Sequence, residues 1–203
     1  EKLLKSHPKS SLIPETLLSL GEFHFEQHEI KKAIGYFQKA MKFKSHKAYP
    51  YAVYKLGWSF YNYPTENDAQ TAKMYKKAVA AFKLVIKLSD KAKERLTYDL
   101  KSEAVKDLIM VWAETESIDQ AWAYFKTIGE KNSFYTMLEK LGFIYTDQGK
   151  FKKAIAVYNR MVLEAPERAN MPEVHGKMVD LFARINEPKQ VIVALSDMKK
   201  LYL

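Results

Sequence analysis

Two histidines one helical turn apart, His24 and His28, stand among Glu22, Glu26 and Glu29. Imidazoles at i and i+4 on a helix can share a metal ion, with carboxylates completing the set. The stretch reads HFEQH, however, with Phe25 where a zinc-protease helix needs its glutamate. The 203 residues contain no Cys, which removes thiol nucleophiles, thiolate ligands and disulfides. A Gly-x-Ser-x-Gly elbow and a Gly-rich phosphate loop are also missing. Carboxylate pairs such as Glu114 and Glu116 fall at a helix end, where solvated acids are ordinary. The expectation is a chain that is no enzyme and holds neither metal nor cofactor.

Aromatic residues carry a stronger signal. Tyr51, Tyr54, Trp58 and Tyr61 follow i, i+3, i+7, i+10 spacing, which is one face of a helix. Val53, Leu56, Gly57 and Phe60 occupy a different face. A helix with two apolar faces needs two partners. Tyr and Trp are also the types enriched at binding hot spots. Packing between neighbouring helices uses part of such a stripe, so a ligand groove and an internal core both stay open. The formal charge is +9, which permits an anionic partner without identifying one. Lys31, Lys32, Lys39, Lys42, Lys73, Lys76, Lys77, Lys83, Lys87, Lys150, Lys152 and Lys153 supply much of it. Solvated lysines whose stems cover apolar surface are the expected use. Contact with an anionic membrane surface or an acidic protein is the alternative. Most aromatics occupy packing positions, so nucleic acid is not an expected partner.

The elements that must position these residues are repeated. LLSLGEFHFEQHEIKKAIGYFQKAM parallels MLEKLGFIYTDQGKFKKAIAVYNRM, and Gly21 to Ala33 equals Gly142 to Ala154 in length. LGWSFYNYPTENDAQTAKMYKKAVAAF is a third copy, with nine more residues between Gly57 and Ala78. An insertion at an exposed turn costs little, because closure entropy grows only logarithmically with loop length. Pro64, Asn67 and Asp68 mark the turn, and Asp68 or Thr71 is expected to cap a following helix from about Ala69 to Ser89. Gly and Ala belong where two helices cross closely, and one helical hairpin cannot bury its own apolar face.

This pattern resembles the tetratricopeptide repeat, whose unit of ~34 residues is a pair of antiparallel helices. The clearest copy, Tyr135 to Arg168, carries Leu138, Leu141, Gly142, Tyr145, Ala154, Tyr158 and Pro166 at the signature positions, with Met161 departing. The resemblance implies an all-α, right-handed α-solenoid of stacked antiparallel helix pairs. It divides the chain into the tail of a preceding repeat (1–13, with a turn at Pro8), repeat 1 (14–49), repeat 2 with the insertion (50–101), divergent repeat 3 (102–134), repeat 4 (135–171) and degenerate repeat 5 (172–203). Both ends read as cut from a longer protein. In this register His24 is a packing residue and His28 a turn residue.

In this family the first helix of each repeat lines a concave groove. The resemblance therefore implies partner contacts from Glu22, Phe25 and Glu26 in repeat 1, Tyr51, Tyr54, Trp58 and Tyr61 in repeat 2, and Phe143 and Asp147 in repeat 4. The acids Glu22, Glu26, Glu114, Glu139 and Asp147 are expected to rim an aromatic floor. That surface suits a peptide or helix with basic residues and apolar or proline anchors, not a small-molecule substrate. The segments HPKSSLIPETLLSLG and YKLGWSFYN look like bacterial cell-envelope tetratricopeptide proteins related to TolA-binding, outer-membrane-assembly and gliding-motility types. That likeness implies a scaffold in the periplasm or at the envelope, with a cytoplasmic regulatory domain as the alternative.

Overall fold

The computed structural model describes residues 6–202 apart from 8, 92–94, 116 and 130. Residues 1–5, Pro8 and Glu116, named above, lie outside them. The described residues form ten helices and no strand. They are α1 (Ile13–Glu26), α2 (Ile30–Ala40), α3 (Tyr49–Tyr61), α4 (Asp68–Lys91), α5 (Arg95–Thr115), α6 (Ile118–Ile128), α7 (Lys131–Asp147), α8 (Phe151–Glu164), α9 (Met171–Arg184) and α10 (Pro188–Tyr202). None is long and apolar enough to cross a membrane.

Local chemistry sets the helix ends. Pro14, Pro50 and Pro172 open α1, α3 and α9 in the first turn, where a missing N–H costs nothing. Three turns close in the same way, at His28, Gly149 and Asn186, each with a left-handed φ near +60°. At the first, His28 N–H donates to Phe25 O and Glu29 N–H to His24 O. Gly149 to Thr146 with Lys150 to Tyr145, and Asn186 to Ala183 with Glu187 to Phe182, repeat that pair of bonds. This is the Schellman closure of a helix C-terminus. Ser117 and Gln120 form a reciprocal capping box at the start of α6.

The chain divides into two compact units, residues 1–115 and 116–203. In the first, α1 packs on α2, α2 on α3, α3 on α4 and α4 on α5. In the second, α7 packs on α8, α8 on α9 and α9 on α10, with α6 against α7 and α8. Short turns make these neighbours antiparallel, so each unit is a stack of helical hairpins. The boundary falls between α5 and α6, the two helices of segment 102–134.

Three of the hairpins, α1–α2, α3–α4 and α7–α8, close on a glycine. A Cβ on Gly57 would come within 2.9 Å of the Phe82 ring, and one on Gly21 or Gly142 would press still closer on Phe37 or Tyr158. Ala33, Ala78 and Ala154, on the opposing helices, have no exposed surface. The small residues thus admit a buried ring at the crossing, and each such ring contributes about 1.5–3 kcal/mol by its burial.

The insertion in repeat 2 is mostly helix. α4 begins ten residues before Ala78, whereas α2 begins three before Ala33. Expected caps Asp68 and Thr71 do not cap it. Asn67 Oδ1 accepts from Gln70 N–H at 2.9 Å, because the helix starts one residue earlier than expected. Asp68 then lies in the first turn, where the helix dipole favours an acid. The Thr71 hydroxyl donates to Asn67 O and meets Thr65 Oγ1 at 2.6 Å, tying the turn down.

Candidate functional site

The turn at 62–67 and the crossing at Gly57 fix which way α3 faces. Val53, Leu56 and Gly57 are buried. The neighbouring stripe is fixed by one carboxylate on α5. Tyr54 OH donates to Asp107 Oδ2 at 2.7 Å and Trp58 Nε1–H donates to the same oxygen at 3.0 Å. Both rings also meet the buried Phe82 ring edge-on, at 5.7 and 6.1 Å. Burial pushes the Tyr54 hydroxyl above its ordinary pKa, and its bond to Asp107 pushes it further, so it remains a donor. Tyr51 is 38% exposed, 6.0 Å from the Tyr54 ring, with the Lys55 ammonium 5.3 Å from its own centroid.

These rings open on a groove of about 770 Å³ in the first unit. Phe25 and Glu26 come from α1, Tyr51, Tyr54 and Trp58 from α3, and Pro64 from the turn. Five of the expected contact residues therefore converge. Glu22 acts from behind, paired with Lys55 at 3.1 Å. Tyr61 turns to α4 and stacks on Tyr75 at 5.0 Å. Phe143 and Asp147 belong to the second unit. Phe143 is 64% exposed there and borders a smaller hollow of about 150 Å³ with Tyr158, Lys177 and Leu181. The rim is less acidic than expected. Lys55 offsets Glu22, Glu139 is bound to Lys177, and Glu26 is an exposed acid with no ion pair among the described residues.

A positional rule links first helices along each unit. Lys55, Asp107 and Lys177 each stand two residues before the Gly position of their repeat. Lys55 reaches Glu22, Asp107 reaches Tyr54 and Trp58, and Lys177 reaches Glu139 at 2.6 Å. Their partners lie three before or one after the Gly position of the preceding repeat. Lys55 and Asp107 belong to no motif of their own, and this register is the sequence signal that finds them.

His24 and His28 do not act together. His24 Nδ1 meets Glu29 Oε2 at 2.5 Å and its ring stacks on Tyr36 at 5.1 Å. The neighbouring Lys32 and then His24 hold the Glu29 carboxyl below its ordinary pKa. No group of three His, Cys, Asp or Glu side chains gathers as metal ligands among the described residues. Second-helix lysines lie along rings: Lys39 at Tyr36, Lys77 at Phe60, Lys83 at Trp112 and Lys153 at Tyr145.

The family model described as tetratricopeptide repeat matches residues 135–167, the hairpin of α7 and α8. Response regulator aspartate phosphatase A of Bacillus subtilis (strain 168) is 26% identical over 167 residues, 79% of this chain and 40% of that protein. The chain thus spans less than half the length of that curated relative. Among solved structures, MamA from residue 41 to its end, of Desulfovibrio magneticus RS-1, has a TM-score of 0.44 at 15% identity over 93% of this chain and 94% of that one. The assembly chaperone of RpL4 (Acl4, residues 1–338) has a TM-score of 0.41 at 13% identity over 92% and 76%.

Proposed function

We propose that this chain is a protein-interaction scaffold whose first-unit groove holds a peptide or helix of a partner protein. One observation carries this: α3 presents a second aromatic face, and the groove exposes it while Asp107 fixes its rings from behind. Rings held in place lose little freedom when a ligand arrives, which favours affinity. Proline or aliphatic side chains fit between Phe25, Tyr51 and Trp58, and a Lys or Arg fits beside Glu26. The polar groups here orient rings, which is the work of a binding surface. We place the scaffold in a bacterial envelope or motility assembly, on the likeness of HPKSSLIPETLLSLG and YKLGWSFYN to proteins of that kind.

Selection of a displayed peptide library against the chain tests the groove. Selected peptides are expected to share an apolar or proline anchor near a basic residue. Tyr51→Ala and Phe25→Ala are expected to weaken them about tenfold or more each, with helical content unchanged. Equal binding by both variants rejects the groove.

A second mode is favoured by α4, where exposed Lys73, Lys76 and Lys77 stand among Ala69, Ala72 and Ala80. An acidic protein or anionic membrane surface suits that face, and its binding falls steeply with salt. Groove binding persists at high salt.

A further inference from the structure

The second unit holds a groove of about 490 Å³ with walls from α8 and α10 and a floor from α9. Both wall helices are antiparallel to α9, so they run parallel to each other. Their lining residues match at one constant offset along the chain: Ile155 with Val193, Asn159 with Asp197 and Leu163 with Leu201. From Lys152 to Leu163 the wall extends about three turns, or ~17 Å. His175, Met178 and Phe182 form the floor, at i, i+3 and i+7 on one helix face. His175 is 2% exposed, and burial holds its imidazole below the ordinary pKa against Asp197 and the Ala194 backbone. The floor is therefore uncharged at neutral pH. Three apolar wall residues stay open to water, Leu163 at 71%, Val193 at 52% and Leu201 at 49%. An exposed apolar surface of this kind marks an interaction site.

The groove suits a chain that satisfies its own backbone. Among the described residues its neutral amide side chains are Asn159 and Gln190, too few to pair an extended strand. A helix carries its own backbone bonds, and its ridges at i, i+3, i+4 and i+7 match the spacing of the walls. Charge sets its direction. Residues 150–153 and 187–190, where α8 and α10 begin, hold four lysines and one acid, Glu187. Lys152 and Lys189 have no ion pair among the described residues. Both wall helices also bring their positive dipole ends to this end of the groove. Toward the far end the lining Lys200 is already paired with Asp197, at 3.4 Å.

We propose that this groove docks an amphipathic α-helix of a partner protein, antiparallel to α8 and α10. Its apolar stripe lies against Leu163, Val193 and Leu201, and acids in its last turn stand beside Lys152 and Lys189. The negative end of the incoming helix then faces the two positive ones. This site is separate from the first-unit groove and stands whether or not that groove binds a peptide.

Selection of a displayed library of randomised single helices, about four turns long, against the intact chain tests this. Counter-selection against Leu163→Glu removes helices held elsewhere, at the first-unit groove or on α4. Position 163 is 71% exposed, so the acid is expected to leave helical content and the unfolding midpoint unchanged. Surviving helices are expected to carry an apolar i, i+4, i+7 stripe and acids in the last turn. Val193→Glu, a variant absent from the selection, is expected to weaken them about tenfold or more. Lys152→Glu is expected to weaken them about three- to fivefold, an effect that fades at high salt. A survivor resynthesised with its acids in the first turn is expected to lose about the same factor. In methyl spectra Met178 is expected to shift on binding, while Met41 and Met110 of the first unit stay in place. Loss of every helix in the counter-selection, full affinity for Val193→Glu, basic last turns among the survivors, or an unmoved Met178 each overturns the proposal. Self-association abolished by Leu163→Glu, with no helix surviving, gives the groove to a second copy instead. Vesicle binding abolished in the same way gives it to a lipid surface, and either result overturns the partner helix.

Discussion

α3 and α7 occupy the same place in their hairpins yet do different work. Each crosses its partner at a glycine, Gly57 over Phe82 and Gly142 over Tyr158. One residue later α3 has Trp58 and α7 has Phe143; three residues earlier they have Tyr54 and Glu139. On α3 two ring donors converge on one carboxylate of the next first helix. On α7 the roles reverse, and Glu139 accepts from Lys177 and from Asn170. The first arrangement leaves an ordered aromatic floor. The second spends its polar group on an ion pair and leaves Phe143 largely exposed at the edge of a small hollow. A shared backbone register thus sets where neighbouring repeats are tied, and side-chain chemistry sets what remains for a ligand.

The shared part is the more costly to break. Gly57→Leu and Gly142→Leu each drive a side chain into a buried ring. Each is expected to destabilise its unit by about 3 kcal/mol, within the range of overpacked cores. Urea unfolding reads the loss. Gly176→Ala on α9 is the control, because nothing lies within 4 Å of an added Cβ there. It is expected to stabilise by about 0.5–1 kcal/mol through helix propensity. A Leu variant as stable as the parent removes the close crossing from both hairpins.

The differing part is tested at the ties. Asp107→Ala leaves the Tyr54 hydroxyl and the Trp58 N–H half-buried without their acceptor, at an expected cost of about 2 kcal/mol. Asp107→Asn keeps an acceptor oxygen and is expected to recover most of that. Glu139→Ala breaks a more solvated pair, whose side chains are 27% and 38% exposed, and is expected to cost about 1 kcal/mol or less. Equal losses at the two sites erase the distinction between them.

Alkaline titration sharpens the same contrast. Burial raises the pKa of both Tyr54 and Tyr158. Asp107 adds to the rise at Tyr54, whereas Thr146 and Lys177 oppose it at Tyr158. A tyrosine with a raised folded pKa stabilises fully below its unfolded value, near 10, and that stability is lost as pH rises beyond it. Unfolding midpoints are therefore expected to fall above pH 10, with Tyr54 contributing up to about 1 kcal/mol by pH 11. Tyr54→Phe is expected to flatten this limb more than Tyr158→Phe. The reverse order removes Asp107 as the cause.

These contrasts also mark what a sequence exposes. Gly21, Gly57 and Gly142 are legible because the demand on them is local and repeated: one ring, one crossing, one spacing. The helical character of the insertion is legible because AQTAKMYKKA is rich in helix formers. Its cap at Asn67 is one residue off expectation, since Asn67, Asp68 and Thr71 are all competent and only the backbone chooses among them. Asp107 is harder to find, because it sits on a repeat whose glycine is Ile109 and its partners are 49 and 53 residues away. The convergence of Phe25 with Tyr51 and Trp58 follows from the register of two strong copies. The burial of His175 depends on packing between α9 and α10 and has no counterpart in spacing.

The smallest expected effect lies in the turns, where the two units again share geometry with different residues. His28 and Gly149 both hold a left-handed φ, 58° and 69°, with the same two backbone bonds. Glycine enters that region freely, whereas a residue with a Cβ pays about 1–2 kcal/mol. His28→Gly is therefore expected to stabilise the first unit by about 0.5–1 kcal/mol, the relief being partly offset by the freedom glycine gains when unfolded. Gly149→Ala is expected to destabilise the second unit by about 1 kcal/mol. Thermal melts of the two variants check the opposite signs. His28 also borders the groove, so His28→Gly has a second readout in peptide affinity. Stability gained with affinity lost identifies a ligand contact maintained against backbone strain, and stability gained with affinity unchanged assigns His28 to the turn alone.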